Sequence, residues 1–412
     1  MILRTGNMAP PDGPYCPATA WLQMTALMAE AVHNPLLKRH LTVSQVMPSA
    51  ELRWRRGKRW QWILAPASIA VASRLYSILL LLPYVNSPPQ RLPLLTSYPS
   101  PFLAWDGQWY LHIALLGYHA TPLQSSVLAG GHHDFAFYPG WPSLINIASL
   151  GGLLPVDVVA AVLANILFVL AAIVVYRLFA DRFGARTALW GTVLLAFSPV
   201  SYVFSMAYSE AGFLLLVGLY FLDRYGRLSP VLAGLAMLFR VAGVAIAVSA
   251  AVMFFLHRDL RWRLILIGAA IATVFAGWWF FIWQLTGSIG GWFEGSSSWS
   301  KYLGVVAIGR AFIDEPWHEL FWFGFTLLMI VGSLVLIRRH TDLAVYGLVA
   351  VSLGLIDGSA PSMARYSLAA FPAFAAFAER LGPRGSLVAA IVFAVVEALF
   401  VGLAFGPGPH SP

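Results

Sequence analysis

The chain has 412 residues, 59% of them hydrophobic and 11% charged, with a formal net charge of +8 and a mean hydropathy of +0.73. Soluble domains carry nearer ~25% charged residues, so a soluble globular protein is excluded and a polytopic, all-α membrane protein is expected. The 26 Lys and Arg fall in short clusters between apolar runs, as in cytoplasmic loops beside anionic lipid, and no basic stripe on a folded domain suits nucleic acid.

From the N-terminus, residues 1–59 form a basic extension holding the one cysteine, Cys16, which excludes an intramolecular disulfide and a cysteine-based zinc site. No apolar core followed by a small-residue cleavage site marks a removable signal peptide here. The mildly apolar stretch Trp21–Val32 is too short to span and fits an interfacial helix or a lead-in equally. Spanning-length apolar segments are predicted at 60–84, 155–180, 187–204, 263–285, 319–337 and 385–405, with shorter ones at 209–223, 343–357 and 366–379. The stretch 229–256 would be ~42 Å long as one helix, beyond a ~30 Å hydrocarbon core. It also carries Arg240 near its middle, so two short helices meeting at Arg240 fit better.

Basic residues stay on the cytoplasmic side of a membrane. Placing Arg53, Arg55, Arg56, Lys58 and Arg59 inside puts Arg182 with Arg186, and Arg224 with Arg227, inside as well. The cluster Arg258, Arg261 and Arg263 joins them only if 229–256 enters and returns. That gives about eleven segments, N-terminus inside and C-terminus outside. Loops 86–154, 286–318 and 358–365 are left on the extracytoplasmic side, the first long enough to carry short interfacial helices. One transmembrane domain over 60–405 is expected, followed by a short extracytoplasmic tail at 406–412.

The unusual residues collect on that outer side. Asp106 lies among Trp105, Trp109 and Tyr110. It is either the cap of a helix starting at Gly107 or a general base whose pKa aromatic neighbours raise toward neutrality. Glu210 opens a membrane segment, as a favourable helix-start acid or as a group orienting substrate. An Arg inside apolar sequence is costly unless it meets a partner, a pathway or an anion. Arg240 and Arg365, the latter beside Tyr366, are therefore candidates for phosphate or carboxylate contact, while Arg74 in the first span fits a structural role. Trp105, Trp109, Tyr138 and Trp141 suit an interfacial belt and equally a sugar or lipid contact. His112, His119, His132, His133 and Asp134 match no standard zinc spacing, so no metal is expected. No nucleotide-binding motif is present.

Trp105-Asp106-Gly107, His112-Ile113-Ala114, Gly117-Tyr118, Phe137-Tyr138-Pro139 with Pro142, Ser198-Pro199, Tyr208-Ser209-Glu210, Arg240 with Gly243, and Arg365-Tyr366 follow one another over about 60–400. In that order the chain resembles the PIG-V-like mannosyltransferases, the GPI second-mannose transferase family of the GT-C superfamily, and looks like a bacterial member. The resemblance implies inverting transfer of mannose from a polyisoprenyl-phosphate donor to a lipid- or glycan-linked acceptor. It places this on the extracytoplasmic face of a multi-pass cell-membrane enzyme, without cofactor or nucleotide sugar. By the same resemblance Asp106 is the base, and Glu210, Arg240, Arg365, Tyr366 and His112 line the donor phosphate or acceptor. Val241 and Ala242 stand where the family often has a polar residue. Two other functions remain compatible with the residues: a GT-C transferase using another lipid-linked sugar, and a secondary transporter, for which Arg240 in a broken helix would be ordinary.

Overall fold

The computed structural model describes residues 61–85, 100–124, 131–297, 313, 316–357 and 360–406. The N-terminal extension, with Cys16 and Trp21–Val32, and the tail beyond Gly406 lie outside the described residues, as does much of the 286–318 loop. Contacts divide the chain after Gln61, and Trp62–Pro412 forms one unit.

The architecture is helical apart from one small ribbon. In order come α1 (Gln61–Leu81), α2 (Asp106–Leu116), β1 (Leu123–Gln124), β2 (Gly131–His132), α3 (Gly140–Ala148), α4 (Val156–Phe183), α5 (Ala185–Ala196), α6 (Glu210–Asp223), α7 (Ser229–Phe239) and α8 (Val244–Leu256). Then follow α9 (Arg261–Thr286), α10 (Gly291–Ser297), α11 (Pro316–Leu336), α12 (Thr341–Asp357), α13 (Ala360–Ser367) and α14 (Pro372–Phe405). The strands pair antiparallel, Leu123 opposite His132.

Helix α4 shows why these runs become membrane helices. One face, Ala160, Ala164, Phe168, Ala171 and Val175, is fully buried; the other, Val158, Val162, Ile166 and Leu170, is as apolar yet exposed. Apolar residues all round suit a helix with protein on one side and lipid on the other, and alanines let neighbouring helices approach closely. Among the described residues four helices are long and apolar enough to cross a membrane, around α1, α4, α9 and α14, and four more apolar helices are 10–17 residues long. Length and apolarity alone therefore do not yield the expected eleven crossings.

Three breaks shape the site. The expected span 187–204 is instead α5 ending at Ala196, then a 3-10 turn over Ser201–Ser205, because Pro199 cannot supply the N–H that helix continuation needs. The stretch 229–256 breaks as expected: α7 stops at Arg240, whose backbone is extended (φ −155°, ψ 146°), and a 3-10 turn over Val241–Gly243 leads into α8. Gly243 is required by close approach, since a Cβ there would lie 2.7 Å from the Met237 Cα. In α14, Gly382 (φ 63°, ψ −176°) before Pro383 interrupts the helix between the two segments expected at 366–379 and 385–405.

The described residues of the 86–154 loop carry short helices, as expected. α2 is bound to α3 and α4 through a buried cluster of Leu103, Tyr110, Leu111, Ala114, Trp141, Ile145, Val156, Ala160, Ala164 and Ala207. The Trp141 indole donates to the Ala207 carbonyl at 2.9 Å, and Asn146 Nδ2 donates to the Ala114 carbonyl at 2.7 Å. Asp106 is thus mounted on a packed platform rather than on a free loop.

Candidate active site

Asp106 is the first residue of α2, one position earlier than the helix start expected at Gly107. Before it, Trp105 adopts φ 50°, ψ −113°. A bulky residue at positive φ costs on the order of 1–3 kcal/mol and persists only where its surroundings enforce it. Here the Trp105 ring packs on Phe405 at 4.7 Å between centroids, and Tyr208 Oη donates to the adjacent Ala104 carbonyl at 3.1 Å.

The Asp106 carboxylate pairs with a residue about 260 positions away. Its Oδ2 lies 2.7 Å from Arg365 Nη2. Arg365 Nε lies 3.2 Å from Glu210 Oε1, and the same oxygen is 2.6 Å from Arg240 Nη1. Two carboxylates and two guanidiniums thus alternate in one unbroken string, Asp106–Arg365–Glu210–Arg240, drawn from α2, α13, α6 and the α7–α8 break. Glu210 is buried, Arg240 and Arg365 nearly so, while the Asp106 side chain keeps 21% exposure and is the most open member.

Neutral groups hold the guanidiniums from the other sides. Arg240 Nη1 donates to Ser209 Oγ at 3.0 Å, and Ser209 Oγ shares a 3.0 Å hydrogen bond with Tyr110 Oη. The Tyr366 ring stacks on both arginines, with Cζ-to-centroid distances of 4.9 Å for Arg240 and 4.8 Å for Arg365, and the Tyr208 ring lies 4.9 Å from the Arg365 Cζ. Such cation–π contacts leave edge N–H groups free for an anion. Glu210 Oε2, buried, accepts no hydrogen bond among the described residues.

Two small clefts adjoin the string. One, about 260 Å³ counting the open space at its mouth, is lined by Glu210, Arg240, Arg365, Tyr366, Phe204 and Phe213 among others. The other, about 270 Å³, is lined by Trp105, Tyr202, Met206, Tyr208, Ser362 and Arg365 among others. Arg365 belongs to both walls.

The remaining expected site residues sit elsewhere. Trp109 and Trp141 are 1% and 0% exposed, Trp109 stacked on Phe137, so they build the platform and offer no face to a sugar. Tyr138 is 5% exposed and packs against Trp278 of α9. His112 lies beside His119, with 5.0 Å between ring centroids, and His119 Nδ1 lies 2.9 Å from Asp134 Oδ2. Burial pushes the His112 imidazole below its ordinary range, helped by neighbouring His119. Burial also pushes the Asp134 carboxyl up, against hydrogen bonds from His119 that pull it down. The contribution of Tyr208 as a stacking partner was not singled out from the sequence, although its Tyr-Ser-Glu run was. Nor was Glu397, which accepts from Ser77 and Ser201 at 2.6 and 3.0 Å near Arg74. An acid inside an apolar span is the signal that could have found it.

The described residues thus form a helical fold of membrane-protein character in which two carboxylates and two guanidiniums alternate beside the α2 platform. Residues 71–267, just under half of the chain, match the model of the family described as mannosyltransferase (PIG-V). Comparison with curated proteins gives no match. Among solved structures, ArnT from Cupriavidus metallidurans bound to undecaprenyl phosphate is similar with TM-score 0.48 and 15% identity, over 82% of this chain and 66% of that one. The oligosaccharyltransferase AglB from Archaeoglobus fulgidus, in complex with an inhibitory peptide and a dolichol-phosphate, gives TM-score 0.48 and 14% identity, over 86% of this chain and 57% of that one. The chain thus spans between about half and two thirds of the length of these structures.

Proposed function

We propose that the protein transfers a mannosyl group from a polyisoprenyl-phosphate donor to a hydroxyl of a lipid- or glycan-linked acceptor, with inversion, on the extracytoplasmic face of the bacterial cell membrane. The carrying observation is the string Asp106–Arg365–Glu210–Arg240, which joins a group of the base type to two of the anion-binding type. The family match supplies the sugar class.

In this reaction the acceptor oxygen attacks the anomeric carbon while Asp106 takes the hydroxyl proton. The bond from that carbon to the phosphate oxygen breaks, and the phosphate departs with the electron pair. Arg240 and Arg365 meet the developing charge at the departing oxygen, where preorganised donors lower a barrier most. In the string Arg365 is engaged with Asp106. A donor phosphate is a competing anion for that guanidinium, and its arrival frees the Asp106 carboxylate for the acceptor.

The test is transfer by purified protein from polyprenyl-phosphate mannose, alongside donors carrying other sugars. Asp106→Asn is expected to slow transfer by ~10²-fold or more with donor affinity largely retained. Undiminished activity in Asp106→Asn would remove the base assignment, and equal use of a different sugar donor would remove mannose.

A further inference from the structure

Outside the string, the outer loop gathers a second group of side chains with a different chemistry. His112 on α2, His119 just beyond it and Asp134 after the β-ribbon each present one ligand-type atom, and these atoms lie within 4.8 Å of one another. From this geometry we infer that His112, His119 and Asp134 bind a divalent first-row transition metal, with Zn2+ the best fit, which clamps the outer loop onto helix α2.

Three observations carry the inference. His112 is only 8% exposed, and its Nε2 has no hydrogen-bond partner among the described residues. A buried ring nitrogen left unsatisfied costs about 1–3 kcal/mol, which coordination to a cation would remove. Asp134 is wholly buried, yet among the described residues its carboxylate is hydrogen-bonded only to His119: the backbone N–H at 3.0 and 3.3 Å and ring Nδ1 at 2.9 Å. A buried carboxylate served by one residue retains lone pairs for a cation. His119, at 34% side-chain exposure, forms the open side through which an ion and its water could enter.

The donor set narrows the ion. Two imidazoles and a carboxylate suit Zn2+ and also Fe2+, whereas all-oxygen sites suit Mg2+ and Ca2+. Ligand bonds of ~2.0–2.2 Å require the three donors to draw together, and His119, the least packed, has the freedom to move. The position argues for a structural ion. His112 lies six residues along α2 from Asp106, ~9 Å at ~1.5 Å per residue, and its ring neighbour is His119. The ion would hold the 117–134 segment against the helix that carries Asp106, independently of which sugar is transferred.

The test uses the full chain, purified in detergent with a histidine-free tag. Elemental analysis of the protein as isolated is expected to find about one metal per chain and to tell zinc from iron. After chelation, added CoCl2 should give the ligand-field bands of low-coordinate Co2+. His112→Cys should add a thiolate-to-cobalt charge-transfer band that identifies position 112 as a ligand whether or not other variants fold well. ZnCl2 should raise the melting temperature of the stripped wild type but not of His119→Ala or Asp134→Asn, whereas His340→Ala, remote from the cluster, should respond like wild type. Metal content no higher in wild type than in His119→Ala, or a Co2+ spectrum unchanged by His112→Cys, would overturn the site. Neither readout depends on mannose transfer, so failure here leaves the proposed function standing.

Discussion

Glu210 compensates two guanidiniums with a single oxygen, which makes it the most sensitive member of the string. Glu210→Ala leaves Arg240 and Arg365 facing each other without their shared anion, and breaking a buried pair from one side costs about 3–5 kcal/mol. Removing Arg240 as well, in Glu210→Gln with Arg240→Met, is expected to cost less than the sum of the single changes; thermal unfolding in detergent across the double-mutant cycle measures the difference. These charged residues were legible in the sequence because each stands out against apolar surroundings. Their pairing was not, because Asp106 meets Arg365 only through the folding of intervening helices. The same limit applied to the aromatics: nothing local distinguishes Trp105, which lines a cleft, from Trp141, which is sealed in the platform.

The break between α7 and α8 fixes Arg240 where a continuous helix would carry it elsewhere on its surface. Gly243→Ala would drive a methyl group into the Met237 backbone. Overpacking of this kind costs about 1–3 kcal/mol, and the expected outcome is a lower melting temperature together with a larger loss of donor affinity than a remote Gly→Ala change such as Gly268→Ala, where a Cβ meets open space. The excess length of 229–256 and the Arg240 near its middle announced the break at 240, and separate apolar segments at 366–379 and 385–405 left the one at 382 between them. The break after α5 was missed: Pro199 was quoted as part of a motif while the apolar run on both sides carried the expectation across it.

At the level of the folded chain, the first and last long helices are tied together by buried polar groups. Arg74 of α1 donates to the Ser201 and Ala196 carbonyls and to Ser201 and Ser205 hydroxyls, at 2.7–3.3 Å. Glu397 of α14 accepts from Ser77 of α1 and from Ser201. Arg74 therefore has the structural role expected of it. Arg74→Ala leaves Glu397 buried near a lost counter-charge and is expected to cost about 3–5 kcal/mol in thermal unfolding, with Arg74→Met plus Glu397→Met recovering part of the loss. Sidedness has its own check. In a Cys16→Ser background, a cysteine at Gly290 should react with a membrane-impermeant maleimide on intact cells, and one at Arg338 only after permeabilisation; the reverse pattern would turn the proposed topology over.

Arg365 stands in the walls of both clefts and bridges Asp106 and Glu210 with one guanidinium. Any ligand of the Arg240 side that draws it from Asp106 changes what the Trp105 side offers. Thermodynamic reciprocity then demands that a ligand of the Trp105 side alter affinity on the Arg240 side by the same factor. The two clefts are therefore coupled through one shared side chain. Replacing Arg365 with Lys, a point charge in place of a planar fork, should uncouple the two binding constants before it abolishes either.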